Sequence, residues 1–234
     1  MSEKKAAKRT QKGVSRRERP SKPGLSREGI VDTALDLLAS GGMSGLSLRK
    51  VAAELDTGAA SLYVYVANLR ELYALMLDRA VGEVAIPDET QGDWRERLSF
   101  LLVSYTRCLL SRSGMGRLAV TTMSSGTNML RLAEAIAALL QQGGVVSPRM
   151  TLAAMDTLLL HASAIAAEQD AWRDWGNPLG AMEQALKDSS PEQFPHLQKL
   201  GEALAKESEE RGADRLRESL EMLIDGVLQA NVRA

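Results

Sequence analysis

Few side chains in this sequence could carry out covalent or acid–base chemistry. It holds two histidines, His161 and His196, and one cysteine, Cys108. A nucleophile needs an adjacent base that a third group holds in place, and these residues lie in separate segments. His161 and Glu168 stand two turns apart along one face of a helical pattern, so they could share a metal, but two ligands are too few to specify a site. The glycine-rich run SGGMSG, residues 40–45, follows an apolar helical pattern rather than a strand, which rules against a phosphate loop. Cys108 reads as a small apolar residue inside a helix more than as a redox sensor. No enzyme, metal or cofactor is expected. The suggestive stretch is SLYVYVAN, Ser61 to Asn68, whose tyrosines could dock on something outside the chain.

By local preference that stretch is a strand, since Leu62, Val64 and Val66 alternate with Tyr63 and Tyr65. No other segment alternates convincingly, and an unpaired strand would leave its backbone groups unsatisfied. The flanking segments are helical. Ser26 caps an apolar pattern of Ile30, Val31, Ala34, Leu35, Leu37 and Leu38, which Gly41 and Gly42 stop. Ser47 caps LRKVAAEL, Asp56-Thr57-Gly58 makes a tight turn, and Asn68 caps LRELYALMLDRAVGEV. Two short apolar segments joined by such a turn suit a helix-turn-helix unit, so 61–66 is expected to be helical, with Leu62 and Val66 pointing inward.

Longer helices follow from Asp93: one to Leu110, a short one near Met115–Thr122, one from Asn128 stopped by Gly143 and Gly144, and one opened by Ser147-Pro148 that runs to about Gln169. A weaker helical piece is expected at 179–187, a polar one within 192–211, and a last one over DRLRESLEMLIDGVLQAN. The fold class is therefore all-α. The 149–169 helix is apolar almost all round, which asks for burial on more than one side. Paired with the last helix it would form half of a four-helix bundle between two protomers, through Leu152, Leu159, Leu216, Leu220, Leu223 and Val227. Two core helices of a monomer are the plainer alternative.

Composition agrees with a globular chain, with 44% hydrophobic and 25% charged residues over 234 positions. One cysteine permits no internal disulfide and fits a cytoplasmic address, and the charged N-terminus lacks the apolar region of a secretory signal. The apolar run MTLAAMDTLLLHASAIAA is interrupted by Asp156 and His161, so no membrane span is expected. The net charge of −1 conceals an asymmetry. Residues 1–23 carry nine Lys or Arg against Glu3 and Glu18, while the rest of the chain carries 20 basic and 28 acidic residues. This basic tail is expected to be disordered, either as a solvated leader or as an arm that embraces DNA phosphates.

IVDTALDLLASGGMSGLSLRKVAAEL followed by SLYVYVANLRELYALML resembles the TetR family of bacterial transcriptional regulators, and RLRESLEMLIDGVL is similar to the C-terminal half of its tetracycline-repressor-like members. After the basic tail at 1–23, the resemblance implies a three-helix helix-turn-helix DNA-binding domain at 24–70 and a helical ligand-binding and dimerisation domain at 71–234, joined by a fourth helix. It implies a homodimer on double-stranded palindromic operator DNA, most often a repressor, released by a small-molecule effector. Residues 59–65 would form the recognition helix with Tyr63 at a phosphate. Arg49 would match a helix-2 arginine able to reach a base edge or the backbone, with Lys50 beside it, and Ser47 would direct backbone N–H groups to a phosphate. The family often has lysine near the start of helix 4, where this chain has Ala67 and Leu69, with only Arg70 basic. Gly58, Ala59 and Ala60 lack hydrogen-bonding side chains, so base reading falls to Arg49, Thr57, Ser61 and Tyr65, with alanine methyls against thymine.

The resemblance also implies an effector pocket. Tetracycline repressors hold drug and magnesium through histidines, but the matching position after helix 4 is Val84, so magnesium–tetracycline recognition is not expected. The candidate lining is Met76, Phe100, Leu101, Tyr105, Met115, Met123, Met129, Leu132, Met155, His161 and Trp172, suited to a mostly apolar ligand with His161 or Asp156 as one polar contact. The rival reading is a DNA-binding co-regulator or nucleoid-associated factor that acts without a ligand.

Overall fold

The computed structural model describes residues 24–176, 178–201 and 213–232. The tail at 1–23 and residues 202–211 of the polar stretch at 192–211 lie outside the described residues. Among the described residues there is no strand. The N-terminal helices are α1 (Arg27–Gly45), α2 (Leu48–Glu54), α3 (Ala59–Leu62) and α4 (Leu69–Val81). Then come α5 (Trp94–Leu110), α6 (Met115–Thr121), α7 (Thr127–Gln142), α8 (Pro148–Trp175) and α9 (Leu179–Asp188). Residues 195–201 are helical (α10), and α11 (Ala213–Val232) closes the described chain.

Local chemistry sets the first boundaries. Ser26 Oγ accepts the Gly29 N–H at 3.0 Å, Ser47 Oγ the Lys50 N–H at 3.2 Å, and Asn68 Oδ1 the Glu71 N–H at 2.9 Å. Each cap satisfies an N–H that the helix itself leaves unpaired. Gly42 interrupts α1 with φ 60 and ψ −169, a backbone conformation that side chains resist, so the expected stop is a kink followed by one more helical turn. The α2–α3 turn is a Schellman motif. Asp56 takes φ 52, its N–H donates to Ala53 O at 3.0 Å, and Thr57 N–H donates to Ala52 O at 2.9 Å.

α8 is the long central strut. Its buried side holds Ala154, Leu158, Ala162, Ile165 and Ala166, and it packs on α5, α6, α7 and α11. α6 crosses it closely, because a Cβ at Gly116 would overlap the backbone of Ala166 and Ala167. α8 continues past the expected end at Gln169 to Trp175, where Gly176 stops it with φ 86. By length and composition it could cross a membrane, but here it is a strut within a helical body. α4 joins the two regions, packing against α1 on one side and α5, α6 and α7 on the other.

Candidate functional site

Two surfaces gather the candidate residues. At the first, α2 and α3 pack together with Leu62 and Val66 fully buried, which turns Tyr63 (57% exposed) and Val64 (80%) outward. The α-helix proper is shorter than 59–65. It ends at Leu62, and Tyr63–Tyr65 continue as a turn whose Tyr65 and Val66 N–H groups both donate to Leu62 O at 2.9 Å. Gly58, Ala60, Ser61, Arg49, Lys50 and Arg70 are exposed, while Ser47, Thr57, Ala59 and Tyr65 are half-buried. Lys50 Nζ donates to Ser44 O at 3.3 Å, which holds it near the α1–α2 loop.

Beside the tyrosines lies an open groove of about 420 Å³ lined by Arg27, Tyr63, Val64, Tyr65, Val66, Ala67 and Glu71. Glu71 pairs with Arg27 across α1 and α4 and also accepts the Ala67 N–H at 2.6 Å. Arg27 is therefore a cation at this edge that sequence reasoning missed. Its one signal was its place directly after the Ser26 cap, and nothing local placed it beside Tyr63.

The second surface is a cavity of about 340 Å³ between α4, α5, α6, α7 and α8. Its wall is Leu77, Tyr105, Ala119, Val120, Thr121, Thr122, Met123, Ser124, Met129, Asp156, Leu159, Leu160 and Ser163. That volume lies within the range of small-molecule sites. The Tyr105 hydroxyl and Ser163 Oγ share a hydrogen bond at 3.0 Å, and burial pushes the Tyr105 phenol above its ordinary range. Thr121 Oγ1 donates to Arg117 O at 2.9 Å. Ser124 Oγ accepts the Gly126 N–H at 3.2 Å and lies 3.5 Å from Asp78 Oδ1.

Of the expected lining, Tyr105, Met123 and Met129 stand in this wall. The other expected residues lie elsewhere. Met76, Leu101, Met115 and Leu132 are buried in the core. Phe100 opens onto a separate groove with Arg95, Arg107 and Arg217, and Met155 packs against the core. His161 Nε2 meets Ser219 Oγ on α11 at 2.7 Å, and Trp172 lies 5.9 Å beneath the Arg215 guanidinium. Helix rotation is the reason. Asp156, Leu159, Leu160 and Ser163 share one face of α8, and His161, five residues beyond Asp156, is turned about 140° away. Burial, with help from Arg215, holds the His161 imidazole below its ordinary value. Val84 is buried and lines no part of the cavity.

Sequence reasoning also missed Asp78. α7 has no cap of its own, and Asp78 of α4 serves instead, accepting the Met129 N–H at 2.9 Å and Asn128 Nδ2–H at 3.2 Å. Its neighbour Leu77, together with Ser124 and Met129, lines the cavity. No local signal could have found this cap, because donor and acceptor are 51 residues apart.

The expected protomer-pairing residues divide. Leu152 is 68% exposed on α8, and Leu223 and Val227 line a shallow apolar groove with Met150, Thr157, Met222 and Gly226. Leu159 faces the cavity. Leu216 and Leu220 point into their own protomer's core, because the regular stripe of α11 turns toward α5 and α8 and leaves Met222, 74% exposed, on the outside.

Two family models match the chain: one described as bacterial regulatory proteins, tetR family, over residues 30–75, and one as tetracyclin repressor-like, C-terminal domain, over residues 86–230. An HTH-type transcriptional regulator of Saccharopolyspora erythraea is 35% identical over 124 residues, covering 53% of this chain and 52% of that protein. The HTH-type transcriptional repressor DrrR1 of Streptomyces coeruleorubidus is 44% identical over 84 residues, covering 36% and 31%. The chain thus spans about half the length, or less, of these curated relatives. Among solved structures, apo ActR of Streptomyces coelicolor superposes with a TM-score of 0.78 at 30% identity, over 89% of this chain and 99% of that one. ActR has also been solved with actinorhodin and with (S)-DNPA.

Proposed function

Because the chain belongs to the TetR family of bacterial regulatory proteins, we propose that it is a ligand-responsive repressor that binds a palindromic operator as a homodimer. TetR-family regulators are soluble DNA-binding proteins, and a cytoplasmic site of action follows on this reading. The carrying observation is that α4 connects an exposed face bearing Arg49, Tyr63 and Arg27 to a cavity of drug-like size. Tyr63 and Arg27 meet phosphates, the N–H groups capped by Ser47 lie near another, and Arg49, Thr57, Ser61 and Tyr65 reach base edges. The basic stretch at 1–23 adds phosphate attraction that the missing helix-4 lysine would otherwise supply.

The effector enters the cavity; ActR, to which the chain is similar, has been solved in complex with actinorhodin and with (S)-DNPA, which supports a ligand-responsive role. A molecule wedged against Leu77, Ser124 and Met129 presses on both sides of the Asp78 cap and so shifts α4 relative to α7. Only a ligand that binds one arrangement better than the other can release DNA this way. Selection of bound duplexes from a random pool tests the reading. The expected product is an inverted repeat, and deleting residues 1–20 is expected to weaken binding to it and flatten the salt dependence. A bound population with no common half-site would favour a ligand-independent nucleoid-associated role.

A further inference from the structure

The cavity's wall carries one charged side chain among the described residues, Asp156, and no arginine, lysine or histidine. Its other polar groups are largely engaged. The Tyr105 and Ser163 hydroxyls hold each other, Thr121 is bound to Arg117 O, and Ser124 is tied to Gly126 and Asp78. The nearby Asp78 carboxylate is occupied by the N-terminus of α7. Asp156 has no hydrogen bond or ion pair among the described residues. Its carboxylate therefore faces apolar surface from Leu77, Val120, Met123, Met129 and Leu160 with no cation to answer it.

We propose that Asp156 selects a cationic effector: a mostly apolar molecule that carries a protonated amine, set against the Asp156 carboxylate at the cavity wall. The inference rests on the reading of this cavity as the effector site and names the ligand class that site prefers. The apolar residues supply area-driven affinity that does not distinguish ring systems closely. Charge supplies the selectivity. An anionic ligand would bring like charge against Asp156 with no cation in the wall to compensate, and a neutral one would leave the carboxylate to solvent. A cation gains the attraction and a charge-assisted hydrogen bond. Asp156 is exposed at the cavity's edge, so the preference is modest and falls as salt rises.

The test uses aminomethyl-anthracene, protonated at neutral pH, and hydroxymethyl-anthracene, its neutral match, with dissociation constants read from anthracene fluorescence. The wild type is expected to bind the amine about fivefold tighter than the alcohol, the scale of a partly exposed ion pair. In Asp156→Asn the ratio is expected to fall to about one, and in Ala119→Trp, whose indole fills the cavity, both probes are expected to lose binding. If Ala119→Trp leaves binding intact, or neither probe binds the wild type, the cavity is not the site and both readings fall. If Ala119→Trp abolishes binding but the wild-type ratio is one, or survives in Asp156→Asn, the cavity reading stands and the charge selection is overturned.

Discussion

Asp170, 1% exposed on α8, shows how much single side chains hold in this molecule. Its Oδ2 accepts the Gly114 and Gly116 N–H groups at 3.1 and 3.3 Å, capping α6 from another helix, and its Oδ1 meets Arg173 Nη2 at 2.9 Å. Burial pushes the carboxyl above its ordinary range, against the pull of Arg173 and of the two amides. A carboxyl whose folded value is raised binds its proton more tightly folded than unfolded. Stability is therefore lost as pH rises from the ordinary carboxylate value through the folded one. The melting temperature of the wild type minus that of Asp170→Asn should fall over that window, and a flat difference would contradict the assignment. Asp170→Ala, which strands two buried N–H groups, should cost about 1–3 kcal/mol. Cys108, whose thiol burial pushes up to about 11 while it donates to Ala80 O at 3.0 Å, should resist alkylation in the folded protein at mildly alkaline pH. Rapid modification without unfolding would refute its burial. The Ser26, Ser47 and Asn68 caps could be read in the sequence because cap and target lie three residues apart. Asp170 and Asp78 could not, since only the fold brings them to their targets.

At the scale of elements, periodicity gave the helices but not always their ends. α3 was expected across 59–65 and ends at Leu62, since burial of Leu62 and Val66 needs only one helical turn followed by a tight one. α8 outran its expected end because Asp170–Arg173 and Asp174–Arg117 pairs support polar turns that look like a terminus by composition. The informative joint is that of α4 with α7. If Asp78 couples the cavity to the DNA-facing end, operator binding and local order at α7 must influence each other reciprocally. In hydrogen-exchange measurements, bound duplex should slow exchange around residues 124–130 in the wild type. Asp78→Ala should abolish that distant effect while leaving protection at 59–66 in place. An equal response in the variant would remove Asp78 from the coupling. The cavity itself was only partly legible, because which side of α8 faces it depends on how α6 and α7 pack, which a helical wheel does not contain.

For the whole molecule, the exposed apolar residues Leu152 and Met222 leave α8 and α11 with surface suited to a second copy. The sequence pattern already asked for burial on two sides of α8, but it counted Leu216 and Leu220, which are buried in the core, among the interface residues. Leu152→Glu with Met222→Glu should therefore yield a monomer in light scattering that keeps its helical spectrum, whereas Leu220→Glu should unfold the chain. A dimer surviving the double change would place the interface elsewhere. Binding two half-sites at once gives a dimer its affinity, so the monomer should also bind the operator far more weakly. The central claim is that the face bearing Arg49 and Tyr63 grips DNA. Its most direct test is anisotropy titration of the selected duplex, at one fixed salt concentration, with wild type, Arg49→Ala and Tyr63→Ala. Both side chains are exposed, so melting temperatures should hold, while each variant should lose about 1–3 kcal/mol of binding if the contact is to a base edge and less if to a phosphate. Unchanged affinity in both variants would contradict the account.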